Sequence, residues 1–424
     1  MDKLSIVIES LTKPRYEEDS IDRLNYHVTT FILLLAAFTI IAKEYGGDPI
    51  QCWLPAELAS QKSWEQYAEG YCFVENTYYI PLEQNIPQSA KHRDEKLITY
   101  YQWVPFTLML QAMLFVLPHV FWRMLNWTSN VQTRAVISMA DSVRQMDPCS
   151  DEARDTVDAI ASHIYHADKS TKHLHQILKN NNLFIIFARI FKQSYLSTIY
   201  LITKLLFVTN ATVQFWIVSL YLGGNGYDLT KALMKQQTWQ NTGLFPRVTM
   251  CDFKIRAMGN IHHHTIQCVL MANMFNEKIY IALWWWLLVV ITVTIINLLY
   301  WLYVLNSITS SYRFLIELVK LGQPKKKMTN NLIQQFAEQF VGDTTLVLRL
   351  VTQNASELVA SNIAARLFDI FAKKSVDNQS KICYSEEESR RDVKTPSIIS
   401  HTATSNSSDE TIDASFDPNF CHSI

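Results

Sequence analysis

Three groups of histidines have the residue type and the close spacing that could bind a metal ion. These groups are His163-x-x-His166, His173-x-His175 and His262-His263-His264. Imidazole nitrogens are common ligands of zinc and iron, so such groups would form a metal centre if the fold brought them together. Whether they can meet depends on the apolar segments that separate them.

Four cysteines have a different chemistry available, which is disulfide formation. Cys52 and Cys72 lie in one long polar segment, and Cys251 and Cys268 lie in another. They allow three pairings: one bond within each segment, or either of two arrangements between the segments. The residues alone do not choose among these. A between-segment pairing would join the two segments into one small domain and would constrain a longer stretch of unfolded chain.

Four apolar runs divide the chain, and each is long enough to cross a bilayer. A helix needs roughly 20 residues to cross about 30 Å of hydrocarbon. The predicted spans are 24–41, 98–122, 196–222 and 279–305. The sequence therefore predicts a mostly helical membrane protein built on a four-transmembrane-helix bundle in contact with membrane lipid. The first span follows a polar segment without a cleavage site, so we expect it to act as a signal anchor.

Charge and cysteine usage predict which side of the membrane each segment faces. Segment 123–194 contains nine Lys and Arg and the segment from 306 contains thirteen, whereas 42–97 contains five and 223–278 contains six. Basic segments stay in the cytosol, and disulfides persist on the oxidising side. We expect both termini in the cytosol and the cysteine-containing loops outside. The histidine groups then lie on opposite sides, which excludes a shared metal centre.

Other function classes find little support in the residues. A formal net charge of −1 favours neither nucleic acid nor an acidic substrate. The chain has no nucleophile motif, phosphate-binding loop or paired-acid site. We therefore expect no enzymatic activity, no cofactor and no metal.

The residues that open the second span resemble a known family. The segment Tyr100-Tyr101-Gln102-Trp103-Val104-Pro105 is similar to the signature that opens the second span of innexins, the gap-junction proteins of invertebrates. Further segments similar to innexins are Tyr45–Trp53, Phe245–Phe253, Phe275–Lys278 and Val347–Asn354. The resemblance covers about residues 20 to 370. It departs from the family at Leu270–Phe275, where innexins often have a proline after the leucine, and at His262-His263, where a polar residue is commoner.

The resemblance implies a function and an assembly. Innexin subunits form a homo- or hetero-oligomeric ring of about eight around a wide pore in the plasma membrane. Two rings of adjacent cells dock through their outer loops into a gap junction, which passes ions and small metabolites passively. The resemblance also implies the between-loop disulfides Cys52–Cys268 and Cys72–Cys251. The alternatives are a single-membrane hemichannel and a non-conducting four-span adhesion or scaffold protein.

The N-terminal segment has the pattern of a short amphipathic helix. Its apolar residues are Leu4, Val7, Ile8 and Leu11, and Pro14 ends the pattern. Its polar residues are Asp2, Lys3, Glu9 and Lys13. In innexins this segment folds into the pore mouth as a funnel, so these four are pore candidates. The alternative is a helix that lies on the inner leaflet.

Three residues inside the predicted spans are unusual for a membrane helix. Pro105 and Pro118 each remove a backbone donor from the second span and favour kinks. Lys204 lies in the third span, where an ammonium must snorkel, find a partner or face water. Snorkelling to the cytosolic end is geometrically easy there, and a pore-lining position is the alternative.

These observations predict an organisation for the whole chain. The outer loops form a disulfide-stapled mixed α/β extracellular cap, and the cytosolic segments form a helical dome. Lys325-Lys326-Lys327 either touch anionic lipid or lie in a solvated loop. The predicted segments are, in chain order, an N-terminal pore-funnel helix (1–23), span 1 (24–41), outer loop 1 (42–97), span 2 (98–122), a cytosolic helical loop (123–195), span 3 (196–222), outer loop 2 (223–278), span 4 (279–305), a cytosolic helical domain (306–375) and a disordered tail (376–424).

Overall fold

The computed structural model describes residues 18–55, 62–81, 84–127, 131–147, 150–177, 195–223, 226–234, 245–323 and 330–392. The chain folds into two compact units. The first, which we call the span unit, comprises residues 20–124 and 200–301. The second, which we call the helical unit, includes the described residues of 125–199 and 302–392.

Helices account for most of the described chain. They are α1 (Ser20–Gly46), α2 (Lys62–Glu75), α3 (Ala90–Asp94), α4 (Val104–Trp127), α5 (Thr133–Gln145), α6 (Asp151–Ile177), α7 (Tyr195–Tyr221), α8 (Gly226–Met234), α9 (Met271–Asn306), α10 (Ile308–Gly322), α11 (Asn330–Phe340), α12 (Asp343–Asn354) and α13 (Glu357–Asp392). The strands are β1 (Ile50–Trp53), β2 (Thr77–Tyr78), β3 (Leu97–Ile98), β4 (Val248–Ala257) and β5 (Asn260–Leu270).

Four of these helices, α1, α4, α7 and α9, are long and apolar enough to cross a membrane. In the span unit their inward faces form one buried cluster. Small residues in this cluster let helices approach closely, as at Ala37 on α1, Ala112 on α4 and Ala211 on α7. Large apolar side chains such as Phe38, Met113 and Trp216 remain exposed. Lipid is as apolar as a protein core, so this outward arrangement fits a membrane protein and confirms the predicted four-helix fold.

Helix α1 is irregular near its beginning. Residues Leu24–Thr29 form a π-helical stretch, in which each backbone bond spans one more residue than in an α-helix. The hydroxyl of Thr29 donates to the carbonyl oxygen of Leu24 at 2.9 Å. The residues before this stretch are therefore out of phase with the rest of α1.

The two prolines of the second span have different positions in α4. A 3₁₀ turn, Tyr101–Trp103, precedes the helix, so Pro105 lies in the first helical turn. Proline is well tolerated in the first turn of a helix, so Pro105 is compatible with the beginning of α4. Pro118 lies in the helix interior.

A five-stranded antiparallel sheet joins the two cysteine-containing segments. The strand order is β1-β5-β4-β2-β3. Strands β4 and β5 form a long hairpin whose tip is Met258-Gly259, with φ values of 51° and 83°. Two successive positive φ angles define the type I′ turn, whose twist matches that of the flanking strands. Together with α2, the sheet is the disulfide-linked mixed α/β domain that the sequence predicted.

The helical unit has its own apolar core. An aromatic cluster joins α11 to α13, with the ring centroids of Phe336 and Phe368 5.4 Å apart. The guanidinium of Arg366 on α13 donates two hydrogen bonds to the carboxylate of Asp158 on α6. Helix α13 continues to Asp392, into the segment from 376 for which we expected disorder. The remainder of that segment, 393–424, lies outside the described residues, as does Lys325-Lys326-Lys327.

Gly322, the last residue of α10, allows a close approach to α13. A Cβ here would lie 2.5 Å from the carbonyl oxygen of Ser361 and 2.8 Å from the Cβ of Ala365. We expect Gly322→Ala to destabilise the protein by about 1–3 kcal/mol, because the backbone of α13 would have to move. The measurement is thermal unfolding of the detergent-solubilised protein. The matched control is Gly70→Ala, where an added Cβ meets nothing within 4 Å. Equal unfolding temperatures for the two variants would contradict the expectation.

Candidate docking domain and transmembrane ion pair

Two disulfides link the cysteine-containing segments to each other. Cys52 on β1 is bonded to Cys268, which lies directly opposite it on β5. Cys72 on α2 is bonded to Cys251 on β4. This is the between-loop pairing that the family resemblance implied. Each bond joins residues that are far apart in the chain, with sequence separations of 216 and 179.

The sulfurs of these cysteines are crowded but do not form a metal site. The Sγ atoms of Cys52, Cys72 and Cys268 lie within 4.8 Å of one another. All three are disulfide-bonded, so none offers the thiolate that a metal ion requires. This is the single cluster of metal-ligand type within the described part of the chain.

Asp252 on β4 adds a polar junction to the covalent links. Its carboxylate accepts hydrogen bonds from the hydroxyls of Tyr78 on β2, at 3.1 Å, and of Thr265 on β5, at 2.7 Å. It also forms an ion pair with Arg93 on α3 at 3.1 Å. Burial and the neighbouring Asp252 charge raise the pKa of Tyr78 above its ordinary value, so the hydroxyl remains a donor. One carboxylate thus connects elements of both cysteine-containing segments.

The end of α2 is held by the signature that precedes α4. Tyr101 and Gln102 both donate to the carbonyl oxygen of Phe73, at 2.9 and 2.5 Å. Gln102 also donates to the carbonyl oxygen of Val74 and to the side chain of Asn76, which has a positive φ of 78°. These bonds satisfy carbonyls that the end of α2 leaves without helical partners.

The other signature residues make packing contacts. The ring of Tyr100 meets the edge of Phe245 with centroids 5.8 Å apart. Val104 is fully buried in the helix core, and Trp103 is exposed beside Phe106. The signature Tyr100-Tyr101-Gln102-Trp103-Val104-Pro105 therefore works as a structural joint between the sheet domain and span α4.

The β4–β5 hairpin extends beyond the other strands. Strand β1 pairs with β5 only from Gln267 to Leu270, and β2 pairs with β4 at Met250. From Phe253 to His264 the two strands pair only with each other among the described residues. The hairpin tip therefore projects from the sheet.

The projecting tip is apolar at its end and basic along its sides. Met258 is fully exposed, and Ile261 is more than half exposed. Lys254 lies opposite His263, and Arg256 lies opposite Ile261. The histidine triplet is part of this surface, and the ring of His264 stacks on Phe253 with centroids 5.2 Å apart. The other histidine groups lie on α6 in the helical unit, and the side chains of His173 and His175 are not described.

A buried ion pair lies among the spans. The ammonium of Lys204 on α7 donates to both carboxylate oxygens of Asp22 on α1, at 2.8 and 2.7 Å. Each side chain is only 1% exposed. We expected Lys204 to snorkel, and this expectation was wrong. Because its side chain is buried, Lys204 does not face a pore either. Burial of the two charges is offset because each provides the countercharge of the other.

Aromatic rings surround the ammonium of Lys204. The rings of Tyr200 and Trp301 have their centroids 5.0 and 5.7 Å from it. Tyr200 packs edge-to-face against Trp301 and against Trp122, with centroids 4.8 and 5.2 Å apart. A cation is attracted by the electron-rich faces of such rings, most strongly where water is excluded. The aromatic residues thus stabilise the ammonium as well as filling the core.

Two further polar contacts join α1 to α9. The side-chain amide of Asn25 donates to the hydroxyl of Thr294 at 2.9 Å. The indole N–H of Trp286 donates to the hydroxyl of Thr29 at 3.2 Å. Asn25 and Thr29 both lie in the π-helical stretch, so that stretch directs polar side chains towards a neighbouring span.

Sequence reasoning missed Asp22 because the predicted first span began only at residue 24. The helix begins at Ser20, which places Asp22 within the span. The available signal was an acidic residue just before the first apolar run and a basic residue inside the third. The N-terminal pore candidates Asp2, Lys3, Glu9 and Lys13 lie outside the described residues.

Four membrane-length helices beneath a sheet that is closed by between-loop disulfides define a four-span membrane protein with a rigid loop domain. Comparison with known proteins identifies the family. A profile described as Innexin matches residues 18–371. The chain therefore belongs to the innexin family, whose members are gap-junction channel subunits.

Individual relatives match over most of the chain. Innexin unc-9 of Caenorhabditis elegans is 35% identical over 362 residues, covering 83% of this chain and 92% of the relative. Innexin eat-5 of the same organism is 32% identical and covers 86% of this chain and 90% of the relative. Innexin-3, also of Caenorhabditis elegans, is 36% identical and covers 84% of both chains. This is a family of channels, not a family of enzymes.

Removing either disulfide should cost a similar amount of stability. In the chain-entropy treatment the cost depends on the logarithm of loop length, so separations of 216 and 179 residues differ by only about 0.2 kcal/mol. We expect a loss of roughly 2–5 kcal/mol for Cys52→Ala/Cys268→Ala and for Cys72→Ala/Cys251→Ala. Thermal unfolding of the purified protein measures this loss, with Cys149→Ala as the control. An effect confined to one pair would contradict the entropic account.

Loss of the lysine from the buried pair should be strongly destabilising. Lys204→Met leaves the Asp22 carboxylate buried without an ammonium, which costs about 3–5 kcal/mol. The control is Lys231→Met, which removes an exposed lysine of α8. Adding Asp22→Asn to Lys204→Met removes the uncompensated charge and should recover most of the unfolding temperature. A double variant no more stable than Lys204→Met would show that the charge pair is not the cause.

Proposed function

We propose that this chain forms a ring of about eight subunits, alone or with related subunits, and that two rings in apposed plasma membranes dock head to head. The docked channel passes ions and small metabolites by passive diffusion, without catalytic turnover. The observation that carries this proposal is the disulfide-linked sheet, which makes one rigid domain from two distant segments. Membership of a gap-junction family supports it.

The proposed orientation places both termini and the helical unit in the cytosol. Lys and Arg number nine in 123–194 and thirteen from 306, against five in 42–97 and six in 223–278. Cytosolic segments are enriched in these residues. The disulfides support the same orientation, because such bonds persist on the oxidising side of the membrane.

The proposed docking surface is the projecting hairpin from Lys254 to His263. Its tip exposes Met258 and Ile261, which makes it an apolar contact with a basic rim. An exposed strand edge that pairs with nothing else in its own sheet is suited to contact with a second protein. In the proposed assembly, each hairpin meets the sheet domain of a subunit in the opposite ring.

The proposed pore lining is the N-terminal segment that precedes α1, with Asp2, Lys3, Glu9 and Lys13 towards the permeant ions. Its apolar residues recur at helical spacing and would pack against the spans. The burial of Lys204 supports this assignment indirectly. Lys204 lies in the middle of a span but is paired with Asp22 inside the subunit, so it does not compete for the role of pore-lining charge.

Charged substitutions at the hairpin tip should separate docking from conduction. We expect Met258→Asp combined with Ile261→Asp to lower junctional conductance between paired cells by at least about tenfold. The reason is that the docking contact would bury two carboxylates on each hairpin tip. The current of undocked rings in single cells should change by less than about twofold, since the tip is remote from the core of the fold. Dual voltage clamp of paired cells measures the first quantity, and whole-cell recording measures the second.

The matched control is Met234→Asp, which places a charge at a similarly exposed methionine on α8. It should leave both currents close to those of the unchanged protein. Equal loss of both currents in the tip variant would indicate a folding defect, and unchanged junctional conductance would place docking on another surface. Surface protein without any current in either configuration would instead favour a non-conducting adhesion role.

A further inference from the structure

The helical unit contains an apolar cavity with an arginine-rich rim. The cavity has a volume of about 300 Å³ and lies where α5, α6 and α13 meet. Its apolar lining includes Val143, Val157 and Val359, which are buried. A volume near 300 Å³ is at the lower end of the range for ligand pockets, so it suits one or two large side chains rather than a whole cofactor.

Three guanidinium groups line the same cavity, and they differ in whether a carboxylate of the helical unit already binds them. Arg366 is bound to Asp158 through two nitrogens, and Arg154 lies 3.6 Å from Asp151. Arg144 is exposed and forms no ion pair with any other described residue. The rim therefore retains a net attraction for an acidic group, centred on Arg144.

The sequence that follows α13 contains a segment of the matching chemistry. Between residues 401 and 424 there is no Lys or Arg. The acidic residues are Asp409, Glu410, Asp413 and Asp417, and the large apolar residues between and beside them are Ile412, Phe416 and Phe420. An apolar side chain flanked by carboxylates is what an apolar cavity with a cationic rim would bind.

The connecting chain is long enough to bring this segment back to the cavity. From Arg366 to Asp392 the helix advances 26 residues, which corresponds to about 39 Å at 1.5 Å per residue. The 16 residues of 393–408 can span roughly 55 Å when extended. The reach exceeds the distance to be covered, so binding within one subunit is feasible, as is binding to a neighbouring copy.

We propose that the acidic segment 409–420 of this chain docks on the arginine-rimmed cavity of the helical unit, with Phe416 as its apolar anchor. The cavity is thus an internal docking site for the chain's own tail. A free amphipathic anion such as a fatty-acid carboxylate has the same chemistry, but the tail is covalently tethered and so is present at a high effective concentration.

The test is photo-cross-linking in the full-length protein reconstituted in lipid bilayers. A benzophenone amino acid replaces Phe416, and mass spectrometry maps the cross-linked peptides. We expect most cross-links in peptides that contain Val143–Val157 or Ser356–Arg366. The same photoreactive residue at Ile398, in the connecting chain, should give few cross-links there.

Charge reversal then tests the recognition. Arg144→Glu should lower the cross-link yield at the cavity by about fivefold, because attraction is replaced by repulsion. Adding Asp413→Arg and Asp417→Arg should restore the yield. The matched control is Lys320→Glu on α10, an exposed charge reversal away from the cavity, which should have no effect.

Several results would overturn the proposal. Cross-links mainly to lipid would mean that the tail lies at the membrane, and cross-links spread over other surfaces would mean that it has no defined site. A yield unchanged by Arg144→Glu would exclude recognition by the rim. Thermal unfolding of Arg144→Glu serves as the folding check, and because Arg144 is exposed the unfolding temperature should stay within about 2 °C of the unchanged protein.

Discussion

The pairing of β1 with β5 is the constraint on which the span unit depends. Strand β1 follows the end of α1 by a few residues, and β5 leads directly into α9. Ile50 lies opposite Leu270, the N–H of Ala272 donates to the carbonyl oxygen of Pro49 at 3.2 Å, and Cys52–Cys268 makes the pairing covalent. Paired strands lie about 4.8 Å apart, so the pairing keeps the chain that leaves α1 next to the chain that enters α9. A rigid sheet therefore sets the starting geometry of the helices.

Inside the spans, specificity comes from a few polar groups rather than from apolar area. Four apolar helices could pack in many rotations with similar energy, because lipid and protein interior are equally apolar. The Asp22–Lys204 pair removes most of these alternatives, since any arrangement that separates the two leaves a charge buried alone. Asn25 and Thr29 restrict the position of α1 against α9 in the same way. The pair thus restricts how α1 and α7 can pack against each other.

The sequence was sufficient for features that depend on composition and on short motifs. Apolar runs located the four spans, and the signature at Tyr100–Pro105 pointed to the family and so to the disulfide pairing. Features that depend on contacts between distant side chains were not predictable. Asp252 is an ordinary surface-type residue in the sequence, yet it joins three elements of the sheet domain. Asp22 was assigned to the wrong segment because hydropathy alone places a charged residue outside a span.

The π-helical stretch Leu24–Thr29 gives α1 a built-in angular offset. Successive residues of an α-helix are about 100° apart, so one residue inserted into a turn rotates everything before it by roughly that angle. The offset points Asp22 at Lys204, and a regular helix through the same residues would point it elsewhere. The ion pair therefore stabilises the irregular turn, because a regular helix would move the Asp22 carboxylate away from the Lys204 ammonium. Without the ion pair, the beginning of α1 would turn about its own axis towards the regular helical phase.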